Sequence, residues 1–379
     1  MQYTQKDIKG AKKARDIQAI IAWPSDKEFQ SIISNNHINN SDITIDNIIH
    51  ANNIHGTAIP LLQSRTVRKL PSKVQVQKLP LPHPNNLQLY VDFFYVNQQP
   101  FLHTKSSKIN FLTVQSGENR TTNSIISGLK KVVNVYEKRG FTITNLHTDN
   151  KFDIEDVKDS LQPINTHIHG RKEHVGTIER SVRSVKDRRR ALCHALPYQR
   201  YTKLMVHSLV ENAIFWMNAF PSANDARQHL SPSSMVLGGG KPNFSKPHIA
   251  FGSYDVVYNT TKNNMTQRNI PTIALKPSNE HRGSYFMSLL SGKKLHSYQW
   301  KEMPIPNKVI DCVHHLAKEQ KQPYLHDGVP IFEWGDGEII RDDAEYANKA
   351  PELDLNETGD NESQEFEEQV GKDHPYKTT

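Results

Sequence analysis

Apolar positions recur at helical spacing near the start of the chain. Residues 7–34, "DIKGAKKARDIQAIIAWPSDKEFQSIIS", show this spacing on both sides of an interruption at Pro24. We therefore expect residues 1–70 to form an N-terminal helical module. Residues 71–84 are rich in proline and carry alternating valines, which is typical of an extended linker.

From residue 85 the pattern becomes typical of strands. Residues 87–97, "LQLYVDFFYVN", are rich in aromatic and β-branched side chains, as a buried strand requires. Residues 100–107 and 108–116 continue with two further apolar segments, each after a short polar turn. The three segments predict a three-stranded meander.

Helices and strands then alternate. Residues 123–140 form an amphipathic pattern that closes at Gly140, and residues 141–150 predict a fourth strand that ends on an acid. A short helix, a fifth strand "INTHIH" and two long helices follow, the last ending before Pro221. The order β-β-β-α-β-α-β-α-α predicts an α/β fold over residues 85–240, with a mixed five-stranded sheet flanked by helices.

The pattern changes once more after the second long helix. Residues 247–305 contain short strands separated by Gly, Pro and Asn, which predicts a small β-barrel. Residues 306–325 predict one helix. Residues 326–379 are strongly acidic and predict a disordered tail.

Charge is distributed unevenly. Residues 333–379 carry 15 acids and 4 bases, so the totals of 40 and 47 leave 25 acids and 43 bases in the preceding part. A basic body indicates a nucleic-acid partner, although a basic surface can also serve solubility alone. The two cysteines favour a reducing, intracellular compartment. No apolar run is long enough to span a bilayer, so no membrane partner is expected.

Three acids occupy positions where the predicted elements would bring them together. Asp92 lies inside the first strand, Asp149 ends the fourth, and Glu179 lies near the start of the helix after the fifth. Neighbouring carboxylates repel one another unless they share hard divalent cations such as Mg²⁺ or Mn²⁺. Each acid taken alone is more often a helix cap or a surface group.

The helix that carries Glu179 is strongly basic. Arg183 and Lys186 follow Glu179 by four and seven residues and so share its helix face. We expect the basic residues of this helix to bind DNA, although i,i+4 pairing with Glu179 is the simpler reading for the nearest ones. The set comprises Arg180, Arg183, Lys186, Arg188, Arg189 and Arg190.

Several ordered motifs resemble the integrases of Copia-type long-terminal-repeat retrotransposons. "YVDFFYVN" resembles the strand with the first family aspartate, "LHTDNKF" the element with the second, and "GTIERSVRS" the segment with the glutamate. Downstream, "SPSSMVLGGGKPNFSKPHIAFGSYDVVY" follows the family's Pro, apolar, Gly-rich and Lys-Pro-Asn pattern. The resemblance covers residues 85–260 well and the flanks loosely.

The resemblance implies an RNase H-like D,D,E polynucleotidyl transferase that joins element DNA ends to double-stranded target DNA. It implies that Asp92, Asp149 and Glu179 hold two Mg²⁺ or Mn²⁺ ions. It further implies a homo-oligomer that is nuclear during integration and resides in a cytoplasmic particle before. The alternatives are a catalytically decayed or domesticated nucleic-acid-binding protein of the same fold, and a nuclease that uses water.

The sequence departs from the family pattern in three places. Only 29 residues separate Asp149 from Glu179, which is shorter than usual, and Glu173 competes as the third acid. Lys151 replaces the usual glycine. The family's N-terminal zinc module needs two cysteines, and none precedes Cys193, so no zinc is expected.

Overall fold

The N-terminal region of this computed structural model is helical. The model describes residues 3–64, 85–117, 121–169, 176–221, 230–238, 240–244, 248–258, 269–278 and 283–334. Thr4, Ser25 and Thr44 each cap a helix through a capping box, which satisfies backbone N–H groups that have no partner within the helix. The predicted helices are present, and the chain breaks at Pro24 as predicted. They are α1 (Gln5–Ile20), α2 (Asp26–Ser34), α3 (Ile45–His55) and α4 (Ile59–Ser64). The predicted linker 71–84 lies outside the described residues.

The central sheet has the predicted mixed topology. Its strands follow the order β3-β2-β1-β4-β5, with an antiparallel meander of β1, β2 and β3 and with β4 and β5 parallel to β1. Both faces of β1 carry buried apolar residues, as expected for a strand covered on two sides. The strands are β1 (Asn86–Val96), β2 (Gln99–Ser106), β3 (Leu112–Ser116), β4 (Thr142–Asp149) and β5 (Asn165–His169).

Helices cover both faces of this sheet. Leu89, Val91 and Phe93 of β1 pack into one core together with residues of α5, α6 and α9. Phe94 and Val96 point to the opposite face, where they pack with α7 and α8. These helices are α5 (Thr122–Glu137), α6 (Glu155–Ser160), α7 (Gly176–His194), α8 (Lys203–Ala219) and α9 (Pro232–Leu237).

A sixth strand corrects the sequence prediction at the C-terminal end. Disorder was expected from residue 326, but β11 (Phe332–Trp334) pairs antiparallel with β1. Phe332 is 4% exposed and its ring stacks on that of Phe94, with 5.2 Å between centroids. The strand is only three residues long and lies next to acidic sequence, so neither periodicity nor composition revealed it. Residues 335–379 lie outside the described residues.

The second sheet contains the strands predicted over residues 247–305. It is antiparallel, in the order β10-β6-β7-β8-β9. Its edge strands β9 and β10 are separated by only Tyr298 and Gln299, a span of at most about 11 Å at 3.8 Å per residue. Four flat strand spacings would cover about 19 Å, so the sheet must curl. The strands are β6 (Tyr254–Tyr258), β7 (Asn269–Pro277), β8 (Ser284–Ser288), β9 (Lys294–Ser297) and β10 (Trp300–Met303).

The curl agrees with the predicted small barrel, but closure of the barrel stays a prediction. Within the described ranges no ladder joins β9 to β10. The predicted helix that follows is present as α10 (Asn307–Glu319).

The predicted modules share one hydrophobic core. Buried residues of the N-terminal helices, of α7 and α8, of the second sheet and of α10 belong to one continuous cluster. The chain from Met1 to Glu338 accordingly forms one unit, and Ile339–Thr379 forms another, whose residues are outside the described part. None of the described helices has the length and apolar character needed to cross a membrane.

Candidate active site

Asp92 and Asp149 lie on adjacent parallel strands. The ladder between β1 and β4 ends with Tyr90 opposite His147, two residues before each aspartate. Residues two apart in a strand point to the same face, so both carboxylates lie on the side of Tyr90 and His147. The two acids predicted from sequence therefore lie on neighbouring strands, and their joint action as metal ligands stays a prediction.

The backbone of Asp92 lies in a gap between two ladders. β2 occupies one edge of β1, while β4 pairs with residues 86–90 and β11 with residues 94–96. The Asp92 side chain is 8% exposed, and its Oδ1 accepts a hydrogen bond of 2.7 Å from the Phe93 N–H. A buried carboxylate is costly without compensating contacts, so this position is one that the fold must stabilise.

His103 shows which helix this face meets. It is the cross-strand partner of Asp92, and opposed residues of an antiparallel pair share a face. Its Nδ1 lies 2.9 Å from the Thr113 carbonyl oxygen, which can only accept, so Nδ1 carries the proton. Its Nε2 therefore accepts from the Ser181 hydroxyl at 2.9 Å. The face of Asp92 is thus directed toward α7.

Burial keeps this imidazole neutral. It lowers the pKa of His103 to about 4, and the bond to Thr113 opposes the shift only in part. The neutral tautomer with hydrogen on Nδ1 is the one that both contacts require.

Glu179 lies in the first turn of α7 and is half-buried. Lys186, seven residues later on the same helix face, places its Nζ 5.7 Å from the centre of the Phe332 ring, which stacks on Phe94 of β1. That face of α7 therefore points toward the sheet. The competing acid Glu173 lies outside the described residues.

The fit to a metal is partial. Carboxylate oxygens are the ligands that Mg²⁺ and Mn²⁺ prefer, and Asp92 and Asp149 carry them on neighbouring strands. Among the described residues, however, no group of three or more His, Cys, Asp or Glu side chains is arranged to hold a metal ion. Glu179 therefore does not complete a ligand set with the two aspartates in this conformation.

Three histidines gather beside Asp149, at the ends of β4 and β5. His147 Nδ1 lies 3.1 Å from His169 Nε2, and the ring of His147 stacks between those of Tyr90 and His167. Burial, and then the charges of His167 and His169, lower the pKa of His147. The sequence alone assigned no role to these three histidines. The alternation of histidines in "THIH" was the signal that His167 and His169 share a face.

The predicted DNA-binding residues divide into two groups. Arg180 and Arg183 are exposed, as a DNA contact requires. Lys186 and Arg189 are buried, the latter at 1% exposure. Arg189 Nη1 donates to the Pro330 carbonyl at 3.2 Å, and its guanidinium lies 5.2 Å from the centre of the Phe332 ring. Burial lowers the pKa of Arg189 to about 10.

The other two arginines of the run contact the N-terminal helices. Arg188 pairs with Glu28 at 2.7 Å and Arg190 Nη1 lies 3.4 Å from the Ser64 carbonyl oxygen. The structure thus corrects the expectation that Arg188, Arg189 and Arg190 form one DNA-facing surface. Consecutive helical residues point about 100° apart, so three in a row cannot share a face. Contacts of Arg188, Arg189 and Arg190 therefore attach α7 to other parts of the protein.

Comparisons with solved structures give matches of low overlap. The catalytic core domain of BIV integrase is similar over 40% of this chain and 93% of its own, with 16% identity and a TM-score of 0.31. A simian T-cell lymphotropic virus intasome in complex with PP2A regulatory subunit B56 gamma is similar over 78% of this chain and 99% of its own, with 12% identity and a TM-score of 0.37. Overlaps this low carry no conclusion about activity. No family model matches, and no curated protein matches.

Proposed function

We propose that this protein is a polynucleotidyl transferase of the integrase class, which joins DNA 3′ ends to target DNA. The observation that supports the proposal is the adjacency of the parallel strands β1 and β4, which carry Asp92 and Asp149, together with the bond from Ser181 of α7 to His103, the cross-strand neighbour of Asp92. Two buried or half-buried carboxylates at this point destabilise the fold unless a positive charge compensates their negative charge.

In this proposal Asp92, Asp149 and Glu179 hold two Mg²⁺ or Mn²⁺ ions. Such ions, when bound, activate an attacking oxygen and stabilise a leaving one in phosphodiester chemistry. The residues of the chain bring the reactants together: Asp92 is fixed by the sheet, and α7 carries Glu179 toward it. Arg180 and Arg183 are exposed next to Glu179 and would hold phosphates of the DNA end. A DNA 3′-hydroxyl, not a protein side chain, is the nucleophile.

The source of the chain belongs to the proposal as well. The ordered motifs around Asp92, Asp149 and Glu179 support a Copia-type retrotransposon integrase. Such an enzyme acts on two DNA ends, which requires at least two active sites and hence a homo-oligomer. It would reside in a cytoplasmic particle first and in the nucleus during integration.

A second candidate is a catalytically decayed or domesticated nucleic-acid-binding protein of the same fold. The observation that favours it is the absence, within the described part of the chain, of a three-residue metal-binding group. In that case the sheet and the basic residues of α7 persist while Glu179 no longer reaches the aspartates. DNA binding would remain and joining would be lost.

A strand-transfer assay distinguishes the candidates. The full-length protein is incubated with a labelled duplex that ends in the element's terminal sequence, with unlabelled target DNA, and with Mg²⁺ or Mn²⁺. Integrase function predicts joined products that Asp149→Asn abolishes without loss of DNA binding. Asp156→Asn is the matched control, because it removes an exposed carboxylate on α6.

Three other outcomes have distinct meanings. DNA binding without any joined product in either metal contradicts the integrase proposal and supports the decayed protein. Hydrolysed DNA without joined ends indicates a nuclease that uses water. Joining that survives Asp149→Asn would show that the aspartate pair is not the reactive site.

A further inference from the structure

A cavity of about 790 Å³ lies between the N-terminal helices and α7. Residues of α2, β2, α7 and α8 contribute to its wall, and the described charged residues among them are Lys27, Glu28, Lys105, Arg180, Asp187 and Arg188. The volume falls in the range of cavities that bind small molecules. Ser181 and Lys105 both line this cavity, so it opens on the same face of the sheet as Asp92 and His103 but does not include the aspartates in its wall.

The wall of this cavity has an excess of positive charge. Four of its side chains are cationic and two are anionic. One of the anions, Glu28, is already paired with Arg188 at 2.7 Å. The cations in the wall therefore outnumber the carboxylates that could neutralise them, and the excess positive charge can attract an anion.

Lys105 and Arg180 are two of the cations in this wall. Lys105 is half-buried on β2, two residues after His103, and Arg180 follows Glu179 on α7. Burial, and then the positive charge of Arg180, lower the pKa of Lys105. No carboxylate among the described residues forms an ion pair with either side chain. Two like charges held together in this way repel each other, and an anion between them would relieve the repulsion.

The two cations suit a phosphate group. A guanidinium presents paired N–H donors that match two oxygens of a phosphate, and an ammonium adds a compact charge. Trp23, which lines the same cavity, offers an aromatic surface of the kind on which bases stack. Trp23 is half-buried and packs partly against the core, and cations beside an aromatic ring are typical of sites for single-stranded nucleic acid.

We propose that this cavity binds a phosphate group between Lys105 and Arg180, and that the phosphate belongs to a polynucleotide backbone. The inference deepens the proposed function and rests on it for the polynucleotide source. The phosphate chemistry itself does not depend on strand transfer. Arg180 thereby serves the cavity and not only the outer surface of α7, and Lys105 becomes a binding residue that the sequence did not reveal.

The test measures binding to the full chain in the absence of divalent metal. Inorganic pyrophosphate is titrated by calorimetry, and a fluorescent single-stranded oligonucleotide is titrated by anisotropy. Lys105→Gln and Arg180→Gln should each weaken both dissociation constants about tenfold, as the loss of one charged hydrogen bond predicts. Lys318→Gln, which removes an exposed cation on α10, should change neither.

Lys105→Arg keeps the charge and should retain binding, which separates loss of a ligand contact from loss of folding. Thermal melting of each variant confirms that it is folded. Weakened pyrophosphate binding with unchanged oligonucleotide binding would assign the site to free phosphate compounds. Unchanged affinity of both probes in folded Lys105→Gln and Arg180→Gln would overturn the proposal. Because these assays need no metal and no joining, their failure and the failure of strand transfer are separate results.

Discussion

His103 Nε2 accepts a hydrogen bond from Ser181 Oγ at 2.9 Å, and this contact joins β2 to the helix that carries Glu179. His103 is the cross-strand neighbour of Asp92, and Ser181 follows Glu179 by two residues. The bond therefore fixes the position of α7 relative to the first candidate metal ligand. It gives His103 a positioning role, since the imidazole is neutral and fully buried.

The stability of the protein should depend on pH through His103. Its pKa is about 4 when folded and 6.5 ordinarily, so between these values the unfolded chain binds more protons and stability falls as pH decreases. The change in unfolding free energy caused by this titration is at most about 3 kcal/mol, because one pKa unit corresponds to about 1.4 kcal/mol. Denaturant unfolding between pH 4 and pH 7 measures it. His103→Gln should flatten the pH dependence in this window, and an unchanged slope in a folded variant would contradict the assignment.

Asp255 should destabilise the protein near neutral pH. Asp255 is fully buried on β6, and no described residue forms a hydrogen bond with either of its carboxylate oxygens. Burial, and to a smaller extent the negative charge of Glu302, raises its pKa from 3.8 to about 8. Between these values the folded chain binds more protons than the unfolded one, so stability falls as pH rises from about 4 to about 8. Asp255→Asn should raise the unfolding free energy at pH 7 by about 2 to 4 kcal/mol. Equal gains at pH 5 and pH 8 would contradict this cause.

The strand β11 should contribute measurably to the stability of the central sheet. Phe332→Ala removes a buried ring that stacks on Phe94, and it should lower the unfolding free energy by about 3 kcal/mol. Ile331→Ala is the control, because its side chain is an exposed neighbour in the same segment. Equal unfolding free energies of the two variants in urea would show that the packing of residues 331–334 against β1 does not stabilise the protein.

Two arginines of α7 should behave oppositely. Arg183→Gln should leave unfolding unchanged, weaken DNA binding and reduce the salt slope by about one, as the loss of one phosphate contact predicts. Arg189→Gln should lower stability by about 2 kcal/mol, since it removes a buried cation that bonds to the Pro330 carbonyl. Anisotropy across a salt series, combined with denaturant unfolding, checks both. Arg189 variants that fold normally but lose DNA affinity would reverse the assignment.

Periodicity and strand composition were enough to predict most of the fold. The meander β1–β3, the parallel strands β4 and β5, and the long helices α7 and α8 lie close to the predicted ranges. Each of these elements carries a repeated apolar pattern over many residues, and such a pattern can be recognised from the local sequence alone. The adjacency of β1 and β4, which carry Asp92 and Asp149, followed from assuming the simplest mixed sheet.

The remaining features depend on contacts between distant residues. Phe332 lies in a three-residue strand, and its ring stacks on Phe94, which is more than two hundred positions earlier in the chain. The sequence alone indicates that Arg188 and Arg189 are surface cations. In the structure, the N-terminal helices and the segment that contains β11 cover them. Lys105 and Arg180 come from different elements, so their shared cavity had no signature in the sequence.

The central claim is that Asp92, Asp149 and Glu179 jointly bind divalent metal, and anomalous diffraction from Mn²⁺-soaked crystals of the protein with a bound DNA end tests it most directly. The account predicts anomalous peaks within about 2.3 Å of carboxylate oxygens from all three residues. DNA bound in the absence of such peaks, or metal held by the aspartates while Glu179 stays apart, would contradict it.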